Sequence, residues 1–169
     1  MANRVYNVLF LCTGNSARSV MAEAILDGLG EGRFRAFSAG AHPAGDIHAE
    51  TRALLQSLGY RTEGLRSKGW EEFSGGDGAA MDLVITVCDR AAKEACPVWP
   101  GHPLTAHWSF EDPAAFRGPG VERPAVFARV YNQIESSVQL LVKLPLGPLG
   151  PAGLKREIDA IGRRLAPRP

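Results

Sequence analysis

Cys12 and Arg18 enclose a stretch of small and polar residues, Thr13, Gly14, Asn15, Ser16 and Ala17, and Ser19 follows at once. A cysteine is a nucleophile as its thiolate, and a guanidinium is a planar fork that matches a tetrahedral oxyanion. Small residues between the two let the backbone close around such an anion with its N–H groups turned inward. The expected chemistry is attack by Cys12 on an oxyanion cradled by residues 13–19, with Arg18 as the clamp. A hydrogen bond from Ser19 and the positive potential of a helix start would favour the thiolate. An ordinary strand-to-helix turn holding a buried cysteine is the plainer reading of the same residues. A nucleotide-binding loop is excluded, because neither a Gly-Lys-Ser/Thr ending nor G-x-G-x-x-G is present.

Two further cysteines, Cys88 and Cys96, bring the count to three, which cannot all pair within one chain. No C-x-x-C or zinc-type Cys/His spacing occurs, and His42, His48, His102 and His107 are scattered. No metal site and no cofactor are expected. In a reducing compartment the odd count leaves thiols free to react.

These side chains need a scaffold to hold them. The 169 residues suffice for one domain with a real core, and 45% hydrophobic with 22% charged residues is ordinary for a globular protein. A net charge of +1 argues against a broad surface for nucleic acid or anionic lipid, so an anion site must be local. No apolar run is long enough to span a bilayer, and Val8–Cys12 is too short for a signal peptide; a cytoplasmic location is expected.

Val5–Cys12 reads as a buried strand, and Ser19–Leu29 as a helix with Met21, Ala24, Ile25 and Leu29 on one side. Residues 33–40 suggest a second strand, and Asp46 is expected to cap a helix through Leu58, ended by Gly59. The stretch 61–80 reads as loop with a short helix near Trp70–Phe73. Met81–Cys88 is a continuous apolar run suited to a parallel strand covered on both faces, and Leu104–Trp108 is a fourth strand. Pro124 opens a helix with Phe127, Val130, Tyr131, Ile134, Val138 and Leu141 at helical spacing. Prolines and glycines in 144–153 should break it before a final short helix, Leu154–Leu165. The alternation predicts an α/β fold: a single domain with a four-stranded parallel sheet and helices on both faces. Residues 1–143 would form its body. Residues 144–169 would add a Pro/Gly linker and a C-terminal helix packed on the same domain. In such sheets ligands sit beyond the carboxyl ends of the strands, where the Cys12 loop falls.

Set between strand and helix, "VLFLCTGNSARS" with "MAEA" resembles the active-site loop of the low-molecular-weight tyrosine phosphatase superfamily, which includes phosphatase-like arsenate reductases. The resemblance continues through "SAG" (38–40), "SKGWEEF" (67–73), "DLVITVC" (82–88), "CPVWPG" (96–101) and "HWSFEDPA" (107–114). It covers essentially the whole chain, and residues after Lys143 are its least diagnostic part. It implies that Asp112, before Pro113, is the mobile-loop acid that protonates the leaving oxygen. Phosphatases of the superfamily carry aromatic residues just after that Asp-Pro; here Ala114 and Ala115 stand there, leaving Trp70 or Trp108 to wall a cleft. Arsenate reduction needs two electrons, which thiols supply, whereas hydrolysis of a phosphocysteine needs only water.

The resemblance thus implies reduction of arsenate to arsenite by a relay. Cys12 attacks arsenate, Cys88 attacks the Cys12 sulfur, Cys96 attacks Cys88, and a thioredoxin-like dithiol reduces the last disulfide. Bridged cysteines need Cα atoms about 4.4–6.8 Å apart, so the segment 89–95 would be a short helix that rearranges. The Cys88–Cys96 spacing is one residue longer than in thioredoxin-coupled reductases, which keeps glutaredoxin or a small thiol open as reductant. Arg90 and Lys93 would favour thiolates there or form a solvated helix face. Asn15 would brace the loop. Glu23 and Ser38 match positions that help hold potassium in some related reductases, and no metal role is assigned to them. His107 would pack, or orient the Asp112 loop. The implied partners are arsenate, with phosphate or sulfate competing, and thioredoxin or glutaredoxin, with no nucleic acid or membrane and the chain a monomer. Two alternatives remain: a low-molecular-weight protein tyrosine phosphatase acting on phosphomonoesters, and a non-catalytic thiol redox sensor or oxyanion-binding protein.

Overall fold

A computed structural model describes residues 4–74, 80–93, 99 and 101–165. Its strands are β1 (Tyr6–Cys12), β2 (Phe34–Gly40), β3 (Leu83–Thr86) and β4 (Leu104–His107). They form one parallel sheet in the order β2-β1-β3-β4, so β1 lies inside, with β2 on one side and β3 on the other. The helices are α1 (Arg18–Leu29), α2 (Ala49–Ser57), α3 (Glu71–Ser74), α4 (Asp89–Lys93), α5 (Arg123–Val142) and α6 (Leu146–Leu165).

Strand alternation divides the core in two. Val8, Phe10 and Cys12 of β1, with Leu83 and Ile85 of β3, face the larger layer built by α1, α5 and α6. Leu9, Leu11 and Val84 face the opposite way, onto Met81 and Trp99, with Phe37, Trp70 and Phe73 closing that side. Because β1 is buried on both faces it reads in sequence as a continuous apolar run. Among the described residues no helix is long and apolar enough to cross a membrane.

Three of the differences from the sequence reading have a local reason. Strand β3 is shorter than 81–88: the Asp82 carboxylate accepts the Asn7 N–H at 2.8 Å, and past Thr86 the chain turns into α4. Asp46 does not cap α2. His48 does, its Nδ1 accepting the Glu50 N–H at 3.1 Å, while the Asp46 carboxylate accepts from Ile47. The Pro/Gly segment does not stay out of helix either. Helix restarts at Leu146, bends at Gly150 (φ 66°), and resumes with Pro151, whose missing N–H costs nothing in a first turn. Arg33 bridges the end of α5 by donating to the carbonyls of Val142 (2.8 Å) and Leu144 (3.3 Å).

Helix α6 packs on β4, and its contact is tight at one point. A Cβ on Gly162 would meet the His107 carbonyl and the Trp108 ring, and the buried Trp108 indole N–H donates to the Ile158 carbonyl at 3.0 Å. Gly162→Val should therefore destabilise the protein by about 1–3 kcal/mol through overpacking, read as a lowered midpoint in thermal or urea unfolding.

Candidate active site

The loop between β1 and α1 is shaped by its surroundings. The Cys12 carbonyl accepts from Ala41 N (3.3 Å), Thr13 from His42 N (2.9 Å), and Gly14 from both Ala44 N (2.8 Å) and the Ser67 hydroxyl (3.0 Å). The Ser16 carbonyl accepts from His48 N and the Thr51 hydroxyl, each at 3.0 Å. In a trans peptide the N–H lies opposite the carbonyl, so these bonds turn the amides of Thr13, Gly14, Asn15 and Ala17 inward. The Asn15 N–H does point there, donating to Cys12 Sγ at 3.2 Å. Asn15 sits at φ 47°, a left-handed conformation that asparagine tolerates better than most residues. Its side chain accepts from Lys68 N (2.9 Å) and donates to Ser19 Oγ (2.7 Å). That leaves the Ser19 hydroxyl hydrogen for Cys12 Sγ, 2.8 Å away. Gly40, at the end of β2, is required beneath this loop because a Cβ there would run into Thr13 and Asn15.

The loop floors a cavity of about 490 Å³ lined by Cys12, Thr13, Arg18, Cys88, Phe110 and Asp112 among others. Arg18, in the first turn of α1, reaches across it: one Nη donates to the Phe110 carbonyl at 3.2 Å and the other lies 3.4 Å from Asp112. Asp112 also caps the turn Pro113–Ala115 by accepting the Ala114 N–H at 3.0 Å. Glu111, its neighbour, is gripped by Arg129 of α5 at 2.8 Å, which anchors the segment that carries Asp112. Register brings in the second sulfur. Leu11 pairs with Thr86, so the ends of β1 and β3 lie side by side, and Cys88 Sγ comes 3.6 Å from the Thr13 hydroxyl. Both thiols are buried and unbridged. Cys88 Sγ accepts the Ala91 N–H at 3.3 Å in the first turn of α4. Cys96 lies outside the described residues.

Burial pushes the Cys12 thiol up, against the Ser19 hydroxyl and backbone N–H and then the Arg18 charge, which pull it down; Cys88 adds to the rise. Burial thus opposes the donors that the helix start and Arg18 supply. The donors are present, but desolvation is larger.

Cys12, residues 13–19, Cys88 and Asp112 gather in one place, and other expectations are corrected. His107 does not reach Asp112: its Nδ1 shares a hydrogen with the Thr86 hydroxyl at 2.7 Å and its Nε2 meets Asp89 at 2.9 Å. Neither tryptophan walls the cavity, since Trp108 is buried against α6 and Trp70 packs on Trp99 across the sheet. The aromatic lining is Phe110. Sequence reasoning missed the ring of groups that turn the loop carbonyls outward, namely Ala41, His42, Ala44, His48, Thr51 and Ser67. Most act through backbone N–H groups, which carry no residue signature.

Known proteins resemble this chain in sequence and in fold. The sequence profile of the family "Low molecular weight phosphotyrosine protein phosphatase" matches residues 7–158. The arsenate reductase of Bacillus subtilis is 33% identical over 134 residues, covering 79% of this chain and 91% of that protein. The glutaredoxin arsenate reductase of Synechocystis is 30% identical, covering 80% of this chain and 95% of the relative. Among solved structures, the arsenate reductase from Archaeoglobus fulgidus superposes with a TM-score of 0.63 at 31% identity, over 81% of this chain and 99% of that one.

Removing the Ser19 hydroxyl takes away a contact that lowers the Cys12 thiol. In Ser19→Ala the pH profile of Cys12 alkylation, followed by peptide mass spectrometry, should move to higher pH. One hydrogen bond of about 1 kcal/mol corresponds to somewhat under one pH unit.

Proposed function

The chain belongs to the low molecular weight phosphotyrosine protein phosphatase family, and from that premise we propose that it reduces arsenate to arsenite. One observation carries the reading: a second buried thiol, Cys88, lines the same cavity as Cys12. Hydrolysis of a phosphocysteine has no use for it, whereas a two-electron reduction does. The arsenate reductases to which the chain is similar support the same class.

Arsenate enters the cup with its oxygens on the inward amides and the Arg18 fork. Cys12 Sγ forms a bond to arsenic as one oxygen departs. The Cys12 proton leaves through Asp112, which lines the same cavity, to that departing oxygen, which is released as water. Cys88 then attacks Cys12 Sγ. The sulfur–sulfur bond forms, the sulfur–arsenic bond breaks, and its electron pair stays on arsenic, which falls from As(V) to As(III) and leaves as arsenite. The remaining proton goes to the arsenite oxygens. Cys96 attacks Cys88, regenerating the Cys12 thiol, and a dithiol of the thioredoxin or glutaredoxin type reduces the Cys88–Cys96 bond. Phosphate and sulfate compete for the cup.

A second reading, hydrolysis of phosphomonoesters, is favoured by Phe110, the aromatic residue among those that line the cavity. The two readings part at Cys88. With arsenate, Cys88→Ser should stop multiple turnover, and Cys96→Ser should accumulate a Cys12–Cys88 disulfide visible by mass spectrometry after one turnover. Phosphatase activity that survives Cys88→Ser, without arsenate turnover in the wild type, would establish the second reading instead. Asp112→Asn should lower kcat for arsenate by about 10²- to 10⁴-fold, measured as arsenate-dependent NADPH oxidation through a coupled reductant.

A further inference from the structure

Behind the loop, on the side away from the cavity, lies an ionic cluster that the chemistry above does not use. The Lys68 side chain is 8% exposed and that of Glu23 14%. The Lys68 ammonium donates to the Arg66 carbonyl (3.1 Å) and to Ser38 Oγ (3.4 Å), and stands 3.6 Å from Glu23 Oε1. The Ser38 hydroxyl donates in turn to the same Glu23 oxygen. One cation is thus surrounded by a carbonyl, a hydroxyl and a carboxylate. The backbone of Lys68 also holds the site: its N–H donates to Asn15 Oδ1, and its carbonyl accepts from Gly40 N, both at 2.9 Å.

Oxygen donors of this kind are what a hard cation seeks, and Glu23 and Ser38 match positions that help hold potassium in some related reductases. A bound potassium does not fit here, because the Lys68 ammonium already occupies the centre of the donor set. We propose that Lys68 is an internal cation of this chain, a positioning residue that keeps the oxyanion loop in its binding shape in place of a bound monovalent metal ion. The connection runs from Lys68 through Asn15 to Ser19 and Cys12, each link a hydrogen bond. Burial pulls Lys68 down and pushes Glu23 up, and each partner's charge opposes the shift; Ser38 lowers Glu23, Asp27 raises it, Arg66 lowers Lys68, and Glu72 raises it. Removing the ammonium would leave the Glu23 carboxylate buried without its counter-charge. A bound ion would make loop stability depend on its concentration, and a tethered ammonium does not.

The proposal rests on residues 12–19 being an oxyanion cup and is independent of arsenate being the substrate. Two quantities test it: the thermal midpoint, and the protection of Cys12 from alkylation by inorganic phosphate. Both are measured in potassium, ammonium and choline chloride at equal ionic strength. Wild type should behave alike in all three salts. Lys68→Ala should lose stability and protection in choline and regain part of both in potassium or ammonium, which fit the vacated space. Lys68→Met fills that space without charge and should recover in none. A wild-type midpoint that rises with potassium over choline would overturn the proposal, as would a Lys68→Ala blind to the cation. If Lys68→Ala does not fold in any salt, Lys68→Met decides: protection weakened several-fold supports the proposal, and protection equal to wild type overturns it. Wild type that turns over no arsenate, with these salt responses intact, would remove the arsenate reading and leave this one standing.

Discussion

Every carbonyl of the loop from Cys12 to Gly14, and that of Ser16, is bound from outside by a neighbouring segment. A peptide unit that gives its oxygen to the scaffold must turn its N–H the other way. The cup of donors at the end of β1 is therefore produced by the layer around the loop as much as by the loop itself. Gly40 lets β2 pass directly beneath, Asn15 accepts a left-handed backbone, and Lys68 ties the two together from behind. Small residues between Cys12 and Arg18 are the local condition for such a cup. The outward ties are the global one.

The same enclosure sets a conflict for the sulfur. Excluding water strengthens each donor aimed at an anion, yet it also favours the neutral thiol over the thiolate. Ser19, its own N–H and Arg18 pull against that cost without overcoming it in the free protein. Asp112, 3.4 Å from Arg18, lines the same cavity as the sulfur.

Positioning of that wall depends on elements far along the chain. Strand β4 carries the backbone to Phe110, whose carbonyl receives the Arg18 guanidinium, and α5 grips Glu111 through Arg129. Helix α6 lies against the end of β4, where Gly162 and the Trp108 indole set the approach. His107 and Ser109 both bind Asp89, fastening the start of α4 directly after Cys88. Asp112, Arg18 and Cys88 are thus each held in place by contacts with parts of the chain remote in sequence.

Much of this was legible in the residues. The apolar runs marked β1 and β3, helical spacing marked α1 and α5, and the Cys12–Arg18 stretch marked the loop, because hydrophobic period and small-residue composition are local properties. The outward ties of the loop carbonyls and the match between Lys68 and Glu23 were not legible. Each joins residues that are remote in sequence, and many of the groups involved are backbone atoms common to all residue types. The helical restart at Leu146 escaped for a related reason: prolines and glycines forbid helix in its interior but suit its ends, and only the packing against β4 shows where those ends fall. Residue types alone determined that a thiol and an arginine could share an anion. The tertiary structure decided how far that thiol is withdrawn from water, that Cys88 lines the same cavity and which cation stands behind the loop, because desolvation and charge pairing depend on what surrounds a group in space.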